Sequence, residues 1–242
     1  ARGDATARAG GRGVAAIAAV ARATDFPIAF ATGLFHEPSI PAWAHEATET
    51  RLTDWMLGEL TDQVGATGLR AAWIKVSAGD EVWSETERKV LRAAATASRH
   101  TGCAIGSHTT RGTLVAAQLD ALEGAGVAAE RFIWIHTQTE PDPRLHLEIA
   151  RRGAWIEYDH IGLRASDDED LALVLAMIEA GRTTQLLLSH DRGAFDLRGP
   201  VGEPVDFTYL FDTFVPRMLT AGVGPEVIAT ITRDNPFAAY AR

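Results

Sequence analysis

The sequence predicts a parallel α/β barrel, and three observations carry that prediction. Short apolar runs alternate with segments of helical spacing along the chain. Four of those runs end in a side chain that can serve a divalent cation: Lys75, His108, His136 and Asp191. With His160 included, these positions follow one another at intervals of 33, 28, 24 and 31 residues, close to the roughly 30 residues of a βαβ unit. Each would then stand at an equivalent height on its own strand.

The elements follow in order. VAAIAAVARATDF reads as a first helix, and PIAFATG (27–33) as the first clear strand. Further strands are read in AAWIKVS (71–77), CAIGSH (103–108), RFIWIH (131–136), AWIEYDH (154–160) and QLLLSHD (185–191), each bounded by Gly, Pro or polar clusters. Between them, 50–64, 84–100, 113–126, 143–153, 168–181 and 207–222 carry apolar residues at helical spacing. Ser84 with Glu87 forms a capping-box pattern, and Gly126, Gly153 and Gly181 stand where helices should stop. Six strands are expected, joined by right-handed crossovers.

Bulk properties narrow the function classes. The 242 residues, 46% of them hydrophobic, suit one domain spanning 1–242 with one sizeable core. A net charge of −9 with scattered lysines offers no basic stripe for a nucleic-acid partner. No apolar stretch reaches the roughly 20 residues of a membrane helix. The single Cys103 lies in an apolar run and reads as a small core residue, compatible with a reducing compartment.

Strand parity sharpens the candidates. Trp73, Lys75 and Ser77 share one face of their strand while Ile74 and Val76 share the other, so Lys75 points inward, where an uncompensated ammonium is costly. A desolvated lysine can lose its proton and take up carbon dioxide, giving a carbamate that bridges two cations; alternatively its head escapes to water at the strand end. His108 and His136 suit zinc-like metals as neutral imidazoles, or are core histidines satisfied by backbone carbonyls. Asp191 follows an apolar run directly and is either a ligand and base or a turn residue ahead of Gly193. His160 relays a proton or pairs with Asp159.

GLRAAWIKVSA (68–78), the GSHTT and WIHTQ strand ends, YDHIG (158–162), the SHD strand end and the terminal DNPFAAY resemble, in order, the phosphotriesterase-like group of the amidohydrolase superfamily. The resemblance implies a TIM-type (β/α)8 metallohydrolase barrel with two divalent ions, usually zinc. Lys75 would be carbamylated and bridge both ions; His108 and His136 would bind the more exposed one, and Asp191 the more buried one. Asp191 would collect a proton and His160 relay it. The expected reaction is attack of metal-activated water on a lactone, carboxylic ester or phosphotriester. Phe35, His36 and Arg192 would line the pocket at the rim.

The sequence also departs from that pattern. The family's His-x-His pair is missing: His36, His45, His100, His146 and His190 are isolated. Register therefore predicts a barrel N-terminally truncated to about six βα units, lacking the first strand and most of the second. Only Lys75 and Asp191 remain for the buried ion, so one ion is expected to survive. Thr139 stands near a position where some relatives carry a further relay aspartate, with Glu140 one place away. Two open sheet edges favour a homodimer. A cytoplasmic location is expected, with any N-terminal signal outside what the sequence presents.

Two other classes stay open. A catalytically inactive truncated barrel would act only in association or scaffolding. A redox or transferase barrel would bind a phosphorylated cofactor, but DRGAFDLRGPVGEP lacks the glycine-rich turn that cradles phosphate.

Overall fold

The structure is a computed structural model and describes residues 2–4 as backbone, together with 12–79, 82–163, 167–191 and 206–241. Seven strands form one sheet in chain order: β1 (Arg2–Asp4), β2 (Ile28–Gly33), β3 (Trp73–Ser77), β4 (Ile105–His108), β5 (Phe132–Ile135), β6 (Trp155–Tyr158) and β7 (Leu186–Leu188). Every neighbouring pair is parallel. All six expected strands are present. The seventh, β1, corrects the count: it pairs with Ile28–Phe30 and contains no apolar run, because an edge strand is held by its backbone ladder and leaves no hydrophobic signature.

Helices α1 (Val14–Thr24), α2 (Ala42–Glu46), α3 (Glu49–Thr61), α4 (Glu85–Thr101), α5 (Gly112–Gly124), α6 (Pro143–Arg151) and α7 (Asp168–Glu179) fill the connections. The capping box forms as expected: Ser84 Oγ accepts from the Glu87 amide at 3.1 Å, and Glu87 Oε2 accepts from the Ser84 amide at 2.8 Å. Helices α5, α6 and α7 each end two residues ahead of the glycines Gly126, Gly153 and Gly181.

The expected continuous helix over 207–222 is interrupted. A wide π turn at Leu210–Phe214 leads into α8 (Val215–Thr220), and after α9 (Pro225–Ala229) a second one at Thr230–Asp234 leads into α10 (Asn235–Tyr240). In both, a proline, Pro216 or Pro236, occupies the opening of the following helix. It has no amide hydrogen to donate back four residues, so the preceding turn widens.

Strand alternation sorts the core into two clusters. Ile74, Val76, Ile105, Phe132, Trp134, Ile156 and Leu186 face outward and pack with Leu52, Met56, Val90, Leu119 and Val174 of the helices. Ala31, Trp73, Ala104, Ile133, Ile135, Trp155 and Leu187 face inward, joined by Ala239 and Tyr240 of α10. Burial on both faces explains why these strands read as nearly unbroken apolar runs. The Tyr240 ring meets Trp73 edge-on with centroids 5.4 Å apart. Arg131 donates to the Ala241 carbonyl at 2.6 Å, and Asn235 Nδ2 donates to Thr183 and Leu186 carbonyls at 2.7 and 2.8 Å. The chain end is thereby tied beneath the sheet, opposite the rim that carries the ionisable groups.

A second buried polar knot stands at the β2 edge. Arg12 forks onto Glu59 at 2.9 and 2.8 Å, and Glu59 also accepts from Thr32 Oγ1 at 2.6 Å and Trp55 Nε1 at 3.1 Å. Gly33 closes β2 with φ of 111° beside Lys75, its register partner. A Cβ there would lie 1.9 Å from the Lys75 carbonyl oxygen, so neither space nor backbone geometry admits a side chain.

Candidate metal centre

The site is built where β3 to β7 end. Lys75 lies on the inner face of β3 and is 4% exposed. Its register partners on both neighbouring strands are glycines, Gly33 and Gly106, so no Cβ crowds it from either side. Desolvation lowers its pKa, while Glu157, Asp159 and Asp191, in that order, pull it back up. The inward lysine expected from strand parity is therefore real: it is buried and faces three carboxylates.

His108 ends β4, and its imidazole is pushed down to about pKa 3, by desolvation first and then by His136, Lys75 and His36. At neutral pH it is uncharged, the form that offers a lone pair. The ring of His136 lies 4.3 Å from it, nearly perpendicular at 82°. His136 follows β5 with φ of 67°, a left-handed backbone that turns its side chain back toward the strand ends.

His136 is held by Asp159, a residue that sequence reasoning placed only as a neighbour of His160. Asp159 Oδ1 lies 2.8 Å from His136 Nδ1, and Oδ2 accepts from the His136 amide at 2.9 Å. Gln138 Nε2 donates to Oδ1 at 2.6 Å, while Gln138 Oε1 accepts from the Asp159 amide at 3.1 Å. Burial raises the Asp159 carboxyl, but the hydrogen bonds from His136 and Gln138 outweigh it and keep it below its ordinary value. An ionised carboxylate only accepts, so Nδ1 carries a proton, and in the neutral ring this tautomer has its lone pair on Nε2. That is the carboxylate–histidine arrangement that orients a metal-binding imidazole.

The remaining candidates gather around this core. His160 Nε2 stands 3.8 Å from Asp159 Oδ1, and its ring is 5.7 Å from that of His136. Ligand-capable atoms of His136, Asp159 and His160 all lie within 4.8 Å of one another. Because Asp159 Oδ1 is already engaged with Nδ1, its geometry suits the outer sphere better than direct ligation. Asp191 lies open at the rim with φ of 41°. Its carboxyl is nevertheless raised by desolvation and by Asp159, against the pull of His136, Lys75 and His160. Phe35 packs 4.1 Å from His36 and 4.9 Å from His108, and His36 stands 5.3 Å from His108. Arg192 lies outside the described residues.

Two other positions fall away from the centre. Thr139 Oγ1 donates to the His136 carbonyl at 2.6 Å, and Glu140 accepts the amides of Gly112 and Asp142 at 2.8 and 3.0 Å. Both are committed to shaping the loop. His146 is a core histidine, bonded to Tyr158 Oη at 3.0 Å and the Glu140 carbonyl at 3.1 Å.

Sequence reasoning also missed Glu157. It shares the inner face of β6 with Trp155 and Asp159, a parity readable in AWIEYDH, and Ser189 Oγ donates to its Oε1 at 3.0 Å. Desolvation raises its carboxyl to about 7, with Asp159 adding to the rise and Lys75 opposing it.

Two imidazoles with available nitrogens, a buried lysine between carboxylates, and a carboxylate-locked histidine form a donor set that fits divalent metals. A parallel α/β fold carrying such groups at its strand ends defines the class: proteins that set a polar centre at the C-terminal rim of a barrel. The comparisons narrow the class to a family. The chain belongs to the phosphotriesterase family, whose model matches residues 3–240. It is 26% identical to the phosphotriesterase homology protein of Escherichia coli, over 90% of this chain and 75% of that one. It is 23% identical to an aryldialkylphosphatase of Saccharolobus solfataricus, over 96% of this chain and 78% of the relative. Among solved structures, a variant of a phosphotriesterase-like lactonase from Deinococcus radiodurans superposes with a TM-score of 0.90 at 28% identity, covering 99% of this chain and 80% of that one. No helix among the described residues is long and apolar enough to cross a membrane.

Proposed function

We propose that this chain is a metal-dependent hydrolase of ester bonds, with a lactone or carboxylic ester as the favoured substrate and a phosphotriester as a secondary one. The observation that carries the proposal is His136, fixed by Asp159 through Nδ1, which leaves Nε2 outside that bond on a ring 4.3 Å from that of His108. Similarity to the lactonase supports the substrate class.

Two divalent ions, zinc first among candidates, would be held by His108, His136, Asp191 and a carbamylated Lys75. Bound there, the metal supplies Lewis acidity, polarising the substrate's oxygen and making water acidic enough to lose a proton near neutral pH. The protein's own groups do the rest. Asp191, raised above the ordinary carboxylate value, accepts the water proton as general base. His160, beside Asp159, passes it outward. Phe35 and His36 form an aromatic wall next to His108, suited to an alkyl or acyl group, with Arg192 proposed at the same rim. The expected partners are small-molecule esters. The proposed assembly is a homodimer.

Metal analysis with parallel hydrolysis assays tests the proposal. The purified protein should retain zinc, cobalt or manganese and hydrolyse lactones faster than aryl dialkyl phosphates. Lys75→Ala should lose both metal and activity. A protein that holds no metal and cleaves none of lactones, carboxylic esters and phosphotriesters would refute it.

A further inference from the structure

The aromatic wall beside His108 is held from a helix that has no part in the chemistry above. Between Leu34 and Ile40, which are buried, residues 35–39 run along the rim partly buried or exposed. Phe35 and His36 stand in that stretch, with ring centroids 4.9 and 5.3 Å from that of His108. The Ser39 amide donates to the His36 carbonyl at 2.9 Å, and His36 Nδ1 bonds to the Glu37 carbonyl. A carbonyl only accepts, so Nδ1 carries a proton, and the imidazole takes its orientation from the backbone of Glu37.

Glu87 of α4 fixes that backbone. Its Oε2 closes the capping box on the Ser84 amide at 2.8 Å, and its Oε1 accepts from the Glu37 amide at 3.1 Å. A capping box engages one oxygen of its glutamate. Because Glu87 is only 2% exposed, the other oxygen needs a partner as well, and the rim stretch supplies it. Thr86 adds a second tie: its Oγ1 lies 3.2 Å from His45 Nδ1, and His45 Nε2 lies 3.6 Å from Glu37 Oε2. The far end of the segment is gripped from the same helix. Lys89 Nζ donates to the carbonyls of Ala44, His45 and Ala47 at 3.0, 2.9 and 2.7 Å. An ammonium has three hydrogens, and all three are engaged by the carbonyls that end α2. Helix α4 follows β3, so the wall is keyed to the strand that bears Lys75.

We propose that Glu87 and Lys89 are positioning residues for the substrate wall, a role that rests on the ester-hydrolase reading. By fixing the backbone at Glu37 and at the end of α2, they set how far Phe35 and His36 stand from His108, and so the size of acyl or alkyl group the site admits.

Glu87→Met removes both acceptors at similar length, and Lys89→Met removes the three donors. Ser84→Ala is the control: it deletes the hydroxyl that accepts from the Glu87 amide at 3.1 Å and leaves the bond between Glu87 and Glu37 in place. Each protein, with its metal content measured, would be assayed on a short-chain and a long-chain lactone, and amide exchange over residues 34–47 followed by mass spectrometry. One methylene in an apolar pocket decides about 10–200-fold in specificity. Both Met variants should therefore change the ratio of kcat/KM for the two lactones by about tenfold, chiefly through KM, with metal content unchanged and faster exchange over 35–47. Ser84→Ala should lower thermal stability and keep the wild-type ratio. Lys89→Met alters a partly exposed side chain and serves if Glu87→Met fails to fold. A folded Met variant with wild-type ratio and exchange overturns the positioning role alone, as does a ratio shifted equally in Ser84→Ala, which would trace the effect to helix stability. A wild type that cleaves no ester overturns the hydrolase reading and this role with it.

Discussion

Asp159→Asn removes one charge and almost no volume, and the hydrogen-bond pattern sets the size of the effect. In the wild type, Asp159 accepts three donors: His136 Nδ1 at 2.8 Å, the His136 amide at 2.9 Å and Gln138 Nε2 at 2.6 Å. An asparagine has one acceptor oxygen, so in either orientation its amide group faces at least one of these donors. Facing the backbone amide or Gln138, it leaves a buried donor unpaired, costing about 1–3 kcal/mol of stability. Facing Nδ1, it drives the imidazole to the other tautomer and puts a proton on Nε2, the nitrogen required for coordination. Loss of such an orienting carboxylate costs about 10–100-fold in metal affinity. The assay is competition against a chromophoric chelator for affinity, with urea unfolding of the metal-free protein for stability. Asp159→Asn protein that binds zinc as tightly as wild type and unfolds at the same urea concentration would show that Asp159 does not orient His136.

Further expectations concern pH and the second polar knot. His108 is protonated in the unfolded chain below its ordinary value of 6.5 but in the folded chain only near 3, so it lowers stability as pH falls through that window, by at most about 1.4 kcal/mol per pH unit. Glu157, raised from 4.5 to about 7, holds a proton in the folded chain that the unfolded chain lacks, so its contribution grows as pH falls from 7 to 4.5. The two oppose each other between 4.5 and 6.5, and only the His108 loss continues below. Metal-free His108→Asn protein should therefore lose less stability than wild type between pH 4.5 and 3 in urea titrations, and parallel curves would contradict the shift. Arg12→Ala strands the buried Glu59 carboxylate, although Thr32 and Trp55 still bond to it, and should cost about 3–5 kcal/mol without changing metal affinity. A loss below about 1 kcal/mol would mean the pair is solvated in solution.

The parts of this protein that were legible in its sequence are those where burial imposes composition. Strands β2 to β7 are covered on both faces, so AAWIKVS and RFIWIH announce themselves, and a lysine inside such a run stands out at once. Strand β1 has no apolar pattern, since three residues joined by backbone bonds need none, and only register with the family resemblance placed the end of a strand there. The interrupted helices near the chain end were hidden for a related reason: Pro216 and Pro236 sit at positions a helix start tolerates, so the widening before them is a backbone effect. At the site, residues ending apolar runs were found and residues beside them were not. Asp159 was masked by the adjacent His160, and Glu157 lies inside its apolar run rather than at the end, where ligands were sought. Counting alternate residues along AWIEYDH brings both onto the inner face.

Gly33 turns from β2 into the segment carrying Phe35 and His36 while its backbone lies against the carbonyl of Lys75. The wall that would meet the substrate and the lysine that would anchor the cations are thus joined through one residue without a side chain. A saturation-mutagenesis library aimed at new substrates should randomise positions 35 and 36 and spare position 33, where any replacement would displace the anchor together with the wall.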